Sequence, residues 1–329
     1  MGNGNRGLNS SYQRVMPDDP DYFYIPIVST NNIRNFFYQN EIVEKNIIYK
    51  SGGLKYLSRY LNILRDEFGR NRILYLDAGD HYNKSYSNSD SSIIENFFNS
   101  AQLNATILNN SDYSNRIEND FLNKIKYQIL GNGATNYKIF EIHIINNDII
   151  KIGVVGYIIN DNEEYEIERI TNEINSHINN INDEADAIIL LTNLEIQCSK
   201  KISNLYMYKN TTQNCDLFST SSKAIFNILK KVSKIDAIIA SNSHNNEIHH
   251  WVNDIPIMSS PSEGKYFNIM YLPFKKSSGK FYLNKEEIKI EGPLPICEKI
   301  YSDTQICSND IQTDTGKLIN FAWHGKEIY

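Results

Sequence analysis

Short apolar segments alternate with segments of helical periodicity along the first two thirds of the chain. Wholly apolar strands are typical of parallel sheets that are buried on both faces. The pattern predicts such strands at residues 72–77, 185–191 and 235–240. Apolar positions spaced as on one face of a helix predict helices at about 54–65, 91–100, 114–126, 163–179 and 222–233.

Other strands form antiparallel pairs. Residues 138–145 and 150–157 flank a polar turn and predict one pair. The strand predicted at 23–29 contains Pro26, whose missing N–H favours an edge or an irregular position. Three later segments predict a second sheet, with Gly279 in the hairpin between the last two. They span 255–259, 266–275 and 280–290.

This order of elements predicts one domain of the α/β class, a layered sandwich with mixed sheets. Residues 23–295 hold the predicted domain, because no linker rich in Pro, Gly or Ser divides them. Residues 1–22 are polar and predict a flexible N-terminal arm. Residues 296–329 form a C-terminal extension.

Composition excludes two classes of function. The 329 residues carry a formal net charge of −6, which disfavours a nucleic-acid polymer as partner. No apolar run reaches the length of about 18 residues that a membrane span requires. The pair Lys230-Lys231 is typical of a solvated helix face.

The four cysteines are even in number and lie in two pairs. Their spacing suggests two local disulfides, Cys198–Cys215 and Cys297–Cys307, and the alternative is four free thiols. No C-x-x-C spacing indicates a zinc cluster. Disulfides would favour an oxidising compartment. N-x-[ST] sequons, which weakly support secretion and glycosylation, begin at Asn9, Asn83, Asn104, Asn109 and Asn210.

The segment Leu74–Asp80 carries the strongest chemical signal. A buried strand ends there in a glycine turn that projects Asp80. With Gly52-Gly53, residues 151–157, 235–244 and 255–274, it resembles the N-terminal domain of the 5′-nucleotidase/apyrase family of calcineurin-like metallophosphoesterases. The resemblance covers roughly residues 24–292 and implies a four-layer α-β-β-α sandwich.

Active members of that family hold two divalent cations with Asp, His and Asn side chains, and the metals activate a water. The resemblance places Asn32 and Arg34 where the family has Asp-x-His, and Asn193 where it has His. Ser111 replaces the histidine that stabilises charge in the transition state. In the last motif Asn242 replaces the first histidine. The ligand positions that keep the family's residue are Asp80, Asn110 and His244.

The substitutions predict that no cofactor binds and that no residue is catalytic. Arg34 is a permanent cation that would repel a metal ion and pair with Asp80. The cleft formed by the seven positions could then hold a small anion. The alternative is a remodelled site for zinc, calcium or magnesium, for which His81, His249 and His250 are further candidates.

The resemblance therefore implies a catalytically inactive, secreted binding protein whose ligand is a host protein or a small molecule. Apyrase-like relatives in the saliva of blood-feeding arthropods act against host haemostasis, which suggests a similar effector role. The chain ends at Tyr329, too early for the family's nucleobase-binding domain. Two alternatives stay open: an active phosphoesterase with a remodelled metal site, and a purely structural or adhesive domain.

Overall fold

The computed structural model describes most of the predicted domain. The described residues are 21–34, 36–44, 47–82, 88–109, 112, 124–131, 135–144, 147–159, 166–194, 206–208, 227–241, 248–252, 254–260, 263–296, 322–323 and 326–327. None of the helices in these ranges has the length and apolar composition to span a bilayer.

Strands dominate the described residues. They are β1 (Phe23–Thr30), β2 (Asn40–Glu44), β3 (Ile47–Ser51), β4 (Leu74–Asp77), β5 (Ala105–Ile107), β6 (Gln128–Leu130), β7 (Tyr137–His143), β8 (Ile149–Tyr157), β9 (Ala187–Thr192), β10 (Tyr206–Tyr208), β11 (Ala237–Ala240), β12 (Ile248–Val252), β13 (Ile255–Ser259), β14 (Tyr266–Ser277), β15 (Lys280–Leu283), β16 (Lys289–Pro295), β17 (Ala322–Trp323) and β18 (Lys326–Glu327). The helices are α1 (Leu54–Phe68), α2 (Asn88–Ser100), α3 (Ile167–Asn179) and a 3-10 turn at Lys285–Glu287.

Two mixed sheets form the body of the domain. The larger has the order β10-β16-β14-β1-β4-β5-β6, with β15 paired to β14, and the smaller has the order β12-β13-β11-β9-β8-β7. Strands β1, β4, β5 and β6 are parallel, as are β8, β9, β11 and β13. The pairs β2–β3 and β17–β18 form separate ribbons.

Three apolar clusters separate four layers. One packs α1 and α2 against the outer face of the larger sheet, and it includes Leu61 and Phe98. A second lies between the two sheets, where Ile27 of the larger sheet and Ile189 of the smaller are both fully buried. The third packs α3 on the smaller sheet through residues such as Ile174. The fold is thus the predicted α-β-β-α sandwich.

Two predictions about strand placement are wrong. Strand β1 is not at an edge, because it pairs with β14 on one side and β4 on the other. Its pairing with β4 begins at Ile27, so the missing N–H of Pro26 costs no bond in that ladder. Strand β13 belongs to the smaller sheet, whereas β14, β15 and β16 complete the larger one.

The strand predicted at 280–290 is two strands, β15 and β16, separated by the 3-10 turn at Lys285–Glu287. Other elements follow the sequence pattern. The β7–β8 hairpin and the turn at Gly279 form as predicted, and α3 begins at Ile167, four residues after the expected start. The predicted helix at 114–126 lies largely outside the described residues. Of the helix predicted at 222–233, residues 227–233 are described. Residues 227–229 are helical, whereas 230–233 are not, so the predicted helix extends too far.

Candidate functional site

The cleft of the domain lies where parallel strands of both sheets end. In the larger sheet, Thr30 at the end of β1 is level with Asp77 at the end of β4. Ser241, which follows β11 of the smaller sheet, donates its hydroxyl to Asn32 Oδ1 over 2.5 Å. The two sheets therefore bring the segments after β1, β4 and β11 together, as the strand-end rule for α/β proteins predicts.

A strained turn presents Asp80 to this cleft. Gly79 has φ of 82° and Asp80 has φ of 61°, so both lie in the left-handed region. A Cβ on Gly79 would lie 2.8 Å from the carbonyl oxygen of Ile107, which only glycine avoids. Aspartate is one of the few other residues that tolerates this conformation. The turn thus explains why glycine precedes aspartate here.

The buried carboxylate of Asp112 holds the turn in place. Its two oxygens accept hydrogen bonds from the main-chain N–H groups of Asp80 and His81, each at 2.9 Å. Its own N–H donates to Asn109 Oδ1 over 2.8 Å. Hydrogen bonds to an ionised group are stronger than neutral ones, so Asp112 is a positioning residue for Asp80.

A second buried carboxylate lies beneath the turn. Asp77 accepts from Thr30 Oγ1 at 2.6 Å and from the N–H of Gly79 at 2.8 Å, and its Oδ1 lies 2.5 Å from His81 Nε2. The side chains of Asp77 and His81 are both fully buried. His81 is therefore a partner of Asp77 in the core of the turn.

The other two histidines of that set are neighbours on β12. His249 is level with Met258 of β13, and His250 is level with Ile257. Both histidines thus belong to a strand of the smaller sheet, whereas His81 follows β4 of the larger sheet.

Tyr75 extends the hydrogen-bonded network below Asp77. Its hydroxyl lies 2.9 Å from Thr30 Oγ1. Burial raises the pKa of Tyr75 well above its ordinary value, and the nearby Asp77 carboxylate adds to the rise. Because Thr30 gives its proton to Asp77, the phenol of Tyr75 donates to Thr30. The chain of donors runs from Tyr75 through Thr30 to Asp77.

Arg34 forms the predicted ion pair with Asp80. Its Nε donates to Asp80 Oδ2 over 2.6 Å, and the side chains are 30% and 18% exposed, respectively. The Asn109 side-chain amide approaches the other Asp80 oxygen at 3.4 Å, and the N–H of Arg34 donates to the Asp80 carbonyl at 3.3 Å. The guanidinium thus binds one oxygen of the Asp80 carboxylate.

Two predicted cleft asparagines bind main-chain groups or neighbouring loops. The amide of Asn193 forms two hydrogen bonds with Ile159, accepting from its N–H and donating to its carbonyl, both at 2.9 Å. Asn32 is 1% exposed and accepts from Ser241. Its main chain also donates to Gly79 at 2.8 Å and accepts from Glu263 at 2.8 Å. Both side chains thus link separate segments of the chain through hydrogen bonds.

Several predicted residues lie outside the described ranges. These are Asn110, Asn242 and His244 of the cleft, the cysteines Cys198, Cys215, Cys297 and Cys307, and the sequons at Asn9, Asn83 and Asn210. The sequon residue Asn104 is described, and its Oδ1 accepts from the N–H of Tyr75 at 2.8 Å. Both Asn104 and Asn109 use their side chains within the fold.

The described donors do not fit a bimetal centre. Such a centre needs anionic or imidazole ligands whose lone pairs face the metals. Asp80 shares one oxygen with a guanidinium, and the amides of Asn32 and Asn193 are bound to neighbouring groups. No group of three or more His, Cys, Asp or Glu side chains within the described ranges is arranged to hold a metal ion.

Solved structures with the same layered architecture identify the fold. The calcineurin-like phosphoesterase YfkN from Bacillus subtilis is 19% identical with a TM-score of 0.55, and the match covers 82% of this chain and 91% of that protein. The chain has the calcineurin-like metallophosphoesterase fold.

Two nucleotidases give matches of similar extent. The 5′-nucleotidase precursor from Thermus thermophilus is 13% identical with a TM-score of 0.54, covering 82% of this chain and 54% of that one. A putative 5′-nucleotidase from Staphylococcus aureus is 15% identical with a TM-score of 0.55, covering 86% and 57%. This chain therefore spans little more than half the length of those two nucleotidases.

No protein-family model and no curated protein matches the chain by sequence. At such low identities the structural likeness establishes the metallophosphoesterase fold alone.

Sequence reasoning identified Asp80 and Arg34 but missed the carboxylates that support them. Asp77 and Asp112 bind main-chain N–H groups, and such contacts leave little trace in a side-chain motif. One signal was present in each case. Asp77 ends an apolar strand two residues before a glycine, and Asp112 follows Asn109 at the spacing of a side-chain-capped turn.

Proposed function

We propose that this chain is a binding protein built on the metallophosphoesterase fold, and that its cleft does not carry out bimetal hydrolysis. The contact between Arg34 Nε and Asp80 Oδ2, at 2.6 Å, is the observation that supports this most. Hydrolysis of this type needs a carboxylate free to bridge two cations that activate a water. A guanidinium at that carboxylate takes one oxygen and repels a divalent ion.

The charge balance of the cleft supports the same proposal. Arg34 pairs with Asp80, and Lys265 pairs with Glu263 on the loop that contacts Asn32. Each described cation at the rim thus has a carboxylate of its own. A metal ion would need to displace a formed ion pair and then find ligands among amides that are already hydrogen-bonded.

For the cleft we propose a small anion as a weak ligand. Within the described ranges the Arg34 side chain donates only through Nε, and 30% of it is exposed, so its terminal N–H groups can meet a phosphate or carboxylate. Asp80 limits the affinity because it already neutralises the guanidinium. Thermal-shift and calorimetric titrations with phosphate, AMP and ATP test this ligand, with sodium chloride at matched ionic strength as control. No response to any of them would reject it.

Phosphate release tests the loss of hydrolysis. Wild-type chain incubated with ATP, ADP or AMP and with magnesium, calcium, manganese or zinc should release no more phosphate than a heat-inactivated sample. Arg34→His restores an imidazole at that position and should still gain no activity, because the amides at Asn32 and Asn193 remain. Metal-dependent release that Asp80→Asn abolishes would establish the alternative, an active phosphoesterase.

The extracellular setting belongs to the same proposal. The paired cysteines and the sequons support secretion, and the apyrase-like resemblance supports an effector role against host haemostasis. Intact mass measured with and without reductant tests the two disulfides. Affinity capture from plasma and platelets followed by mass spectrometry tests for a host partner, and a capture that enriches nothing over an unrelated protein of the same charge would count against the effector role.

A further inference from the structure

A basic and aromatic surface lies at the end of the larger sheet that is remote from the cleft. We define it as the Lys–Tyr patch, formed by Tyr22, Lys275, Tyr282 and Lys289 above the buried ring of Tyr24. Tyr22 precedes β1, and Tyr24 lies near its start. Strand β1 then runs to Thr30 at the cleft, a distance of about 20 Å at the usual rise per residue. The patch is therefore separate from the cleft.

Strand register assembles one row of the patch. Lys275 of β14 is opposite Tyr282 of β15. On its other side β14 pairs with β1, where Phe274 is level with Phe23, so Tyr22 comes next to Lys275. The Nζ of Lys275 lies 4.5 Å from the centre of the Tyr22 ring. Tyr22, Lys275 and Tyr282 thus follow one another across three strands.

A second lysine lies over the ring of Tyr24 in β1. Lys289 Nζ is 5.1 Å from the centre of the Tyr24 ring, and the rings of Tyr22 and Tyr24 are 5.8 Å apart. Asn284 fixes the outer ring by donating to the hydroxyl of Tyr22 over 2.9 Å. Because rings and ammonium groups are held in place before any partner arrives, binding there costs less conformational entropy.

The two lysines of the patch lack the ion pairs that neighbouring lysines form. Lys276 pairs with Asp148, and Lys285 pairs with Asp236. Within the part of the chain that the structure describes, no carboxylate forms such a pair with Lys275 or Lys289. An aromatic ring attracts an ammonium without cancelling its charge. The patch thus offers two ammonium groups without an ion-pair partner among the described residues, on a chain whose formal net charge is −6.

Tyr282 gives this surface an exposed aromatic anchor. Tyr282 is 53% exposed. Among the large apolar and aromatic residues of the described ranges, Tyr38 is more exposed, at 72%, and Ile149 is less exposed, at 36%. Tyrosine is enriched at the centres of protein interfaces, because it buries a large rigid ring and keeps a hydroxyl for hydrogen bonding.

We propose that the Lys–Tyr patch binds an acidic segment of a partner protein. Lys275 and Lys289 would pair with its carboxylates, and Tyr22 and Tyr282 would pack against it. Lys289 is level with Tyr271, four residues before Lys275 on the adjacent strand. The two lysine Cα atoms are therefore about 14 Å apart, close to the span of four residues of an extended peptide. The net negative charge of the chain disfavours a long nucleic acid. This proposal does not depend on whether the cleft is active.

Fluorescence anisotropy with a fluorescein-labelled deca-glutamate peptide at low salt tests the patch. We expect wild-type chain to bind the peptide, and Lys275→Ala/Lys289→Ala to weaken binding about 5- to 10-fold, the sum of two exposed ion pairs near the middle of their range. Tyr282→Ala should weaken it separately. Lys230→Ala/Lys231→Ala is the matched control, because it removes the same charge from exposed positions elsewhere and should change affinity less than about 2-fold.

Three results would overturn the proposal. One is no binding of the peptide by the wild type, and another is equal weakening by the two double variants, which would indicate net charge alone. The third is tighter binding, with the same dependence on Lys275 and Lys289, to a ten-nucleotide oligothymidylate or to phosphatidylserine vesicles. That result would assign the surface to a nucleic acid or a membrane. Far-UV circular dichroism and thermal unfolding verify that each variant is folded.

Discussion

Replacing Arg34 with alanine should destabilise the fold more than removing the charge of Asp80. Arg34→Ala leaves a carboxylate that is only 18% exposed, whereas Asp80→Asn leaves a guanidinium that is 30% exposed and can be solvated more easily. Asparagine also tolerates the positive φ of 61° at this position, so Asp80→Asn introduces no backbone strain. The comparison therefore isolates the electrostatic contribution of the pair.

The exposure of the pair sets the expected magnitude. Exposed ion pairs contribute about 0–1 kcal/mol, and breaking a fully buried pair costs about 3–5 kcal/mol. Arg34 and Asp80 are partly buried, so we expect Arg34→Ala to lower the free energy of unfolding by about 1–2 kcal/mol and Asp80→Asn by less. The double variant should give a coupling energy of about 1 kcal/mol in a double-mutant cycle.

Urea denaturation followed by circular dichroism measures all four proteins. The coupling should shrink in 1 M sodium chloride, because about 30% of Arg34 is reached by solvent and ions. Arg169→Ala is a suitable comparison, since Arg169 pairs with Glu173 at 3.0 Å on the exposed surface of α3 and should cost no more than about 0.5 kcal/mol. A change for Arg34→Ala within about 0.5 kcal/mol of the wild type, the range of ordinary surface substitutions, would refute the reasoning.

Two other substitutions test the scaffold of the site. Gly79→Ala should lower the free energy of unfolding by about 1–3 kcal/mol more than Gly279→Ala. Both glycines have a similar positive φ (82° and 78°), but only a Cβ on Gly79 would contact the Ile107 carbonyl oxygen, at 2.8 Å. Equal losses of unfolding free energy in urea denaturation would show that this contact is unimportant. Burial raises the pKa of Tyr75 above 10.0, so above that pH the unfolded phenol ionises while the folded one stays protonated, and the free energy of unfolding should fall by up to about 1.4 kcal/mol per pH unit. Tyr75→Phe removes this contribution and should flatten the decline, and an unchanged pH profile would contradict the assignment.

Local patterning predicted much of the secondary structure and a layered α/β sandwich, and the family resemblance implied its four-layer order. The apolar run of β4 and the helical spacing in α1 follow directly from burial on two faces or on one. Sheet membership was harder, because the sequence of β13 and of β14 is equally apolar and pairing is decided by partners far along the chain. The edge position predicted from Pro26 was wrong for a related reason. A proline lacks an N–H donor, but this costs a hydrogen bond only where the adjacent strand pairs at that residue, and β4 pairs with β1 only from Ile27 onward.

The site was predictable where a side chain pairs with a side chain. The guanidinium of Arg34 and the carboxylate of Asp80 are 46 residues apart, yet opposite charges at two motif positions were enough to predict their pairing. Asp112 could not be recognised in this way, because it binds the main-chain N–H groups of a turn 31 and 32 residues earlier. Any residue at 80 or 81 except proline would offer the same donors.

The metal content of the wild-type chain tests the central claim most directly. Purified chain is equilibrated with zinc, manganese, calcium or magnesium, passed through a desalting column, and measured by inductively coupled plasma mass spectrometry. Because the Arg34 guanidinium is paired with the Asp80 carboxylate, we expect far less than one bound metal ion per chain for each of the four metals. About two ions of one metal per chain, lost on Asp80→Asn, would contradict the account.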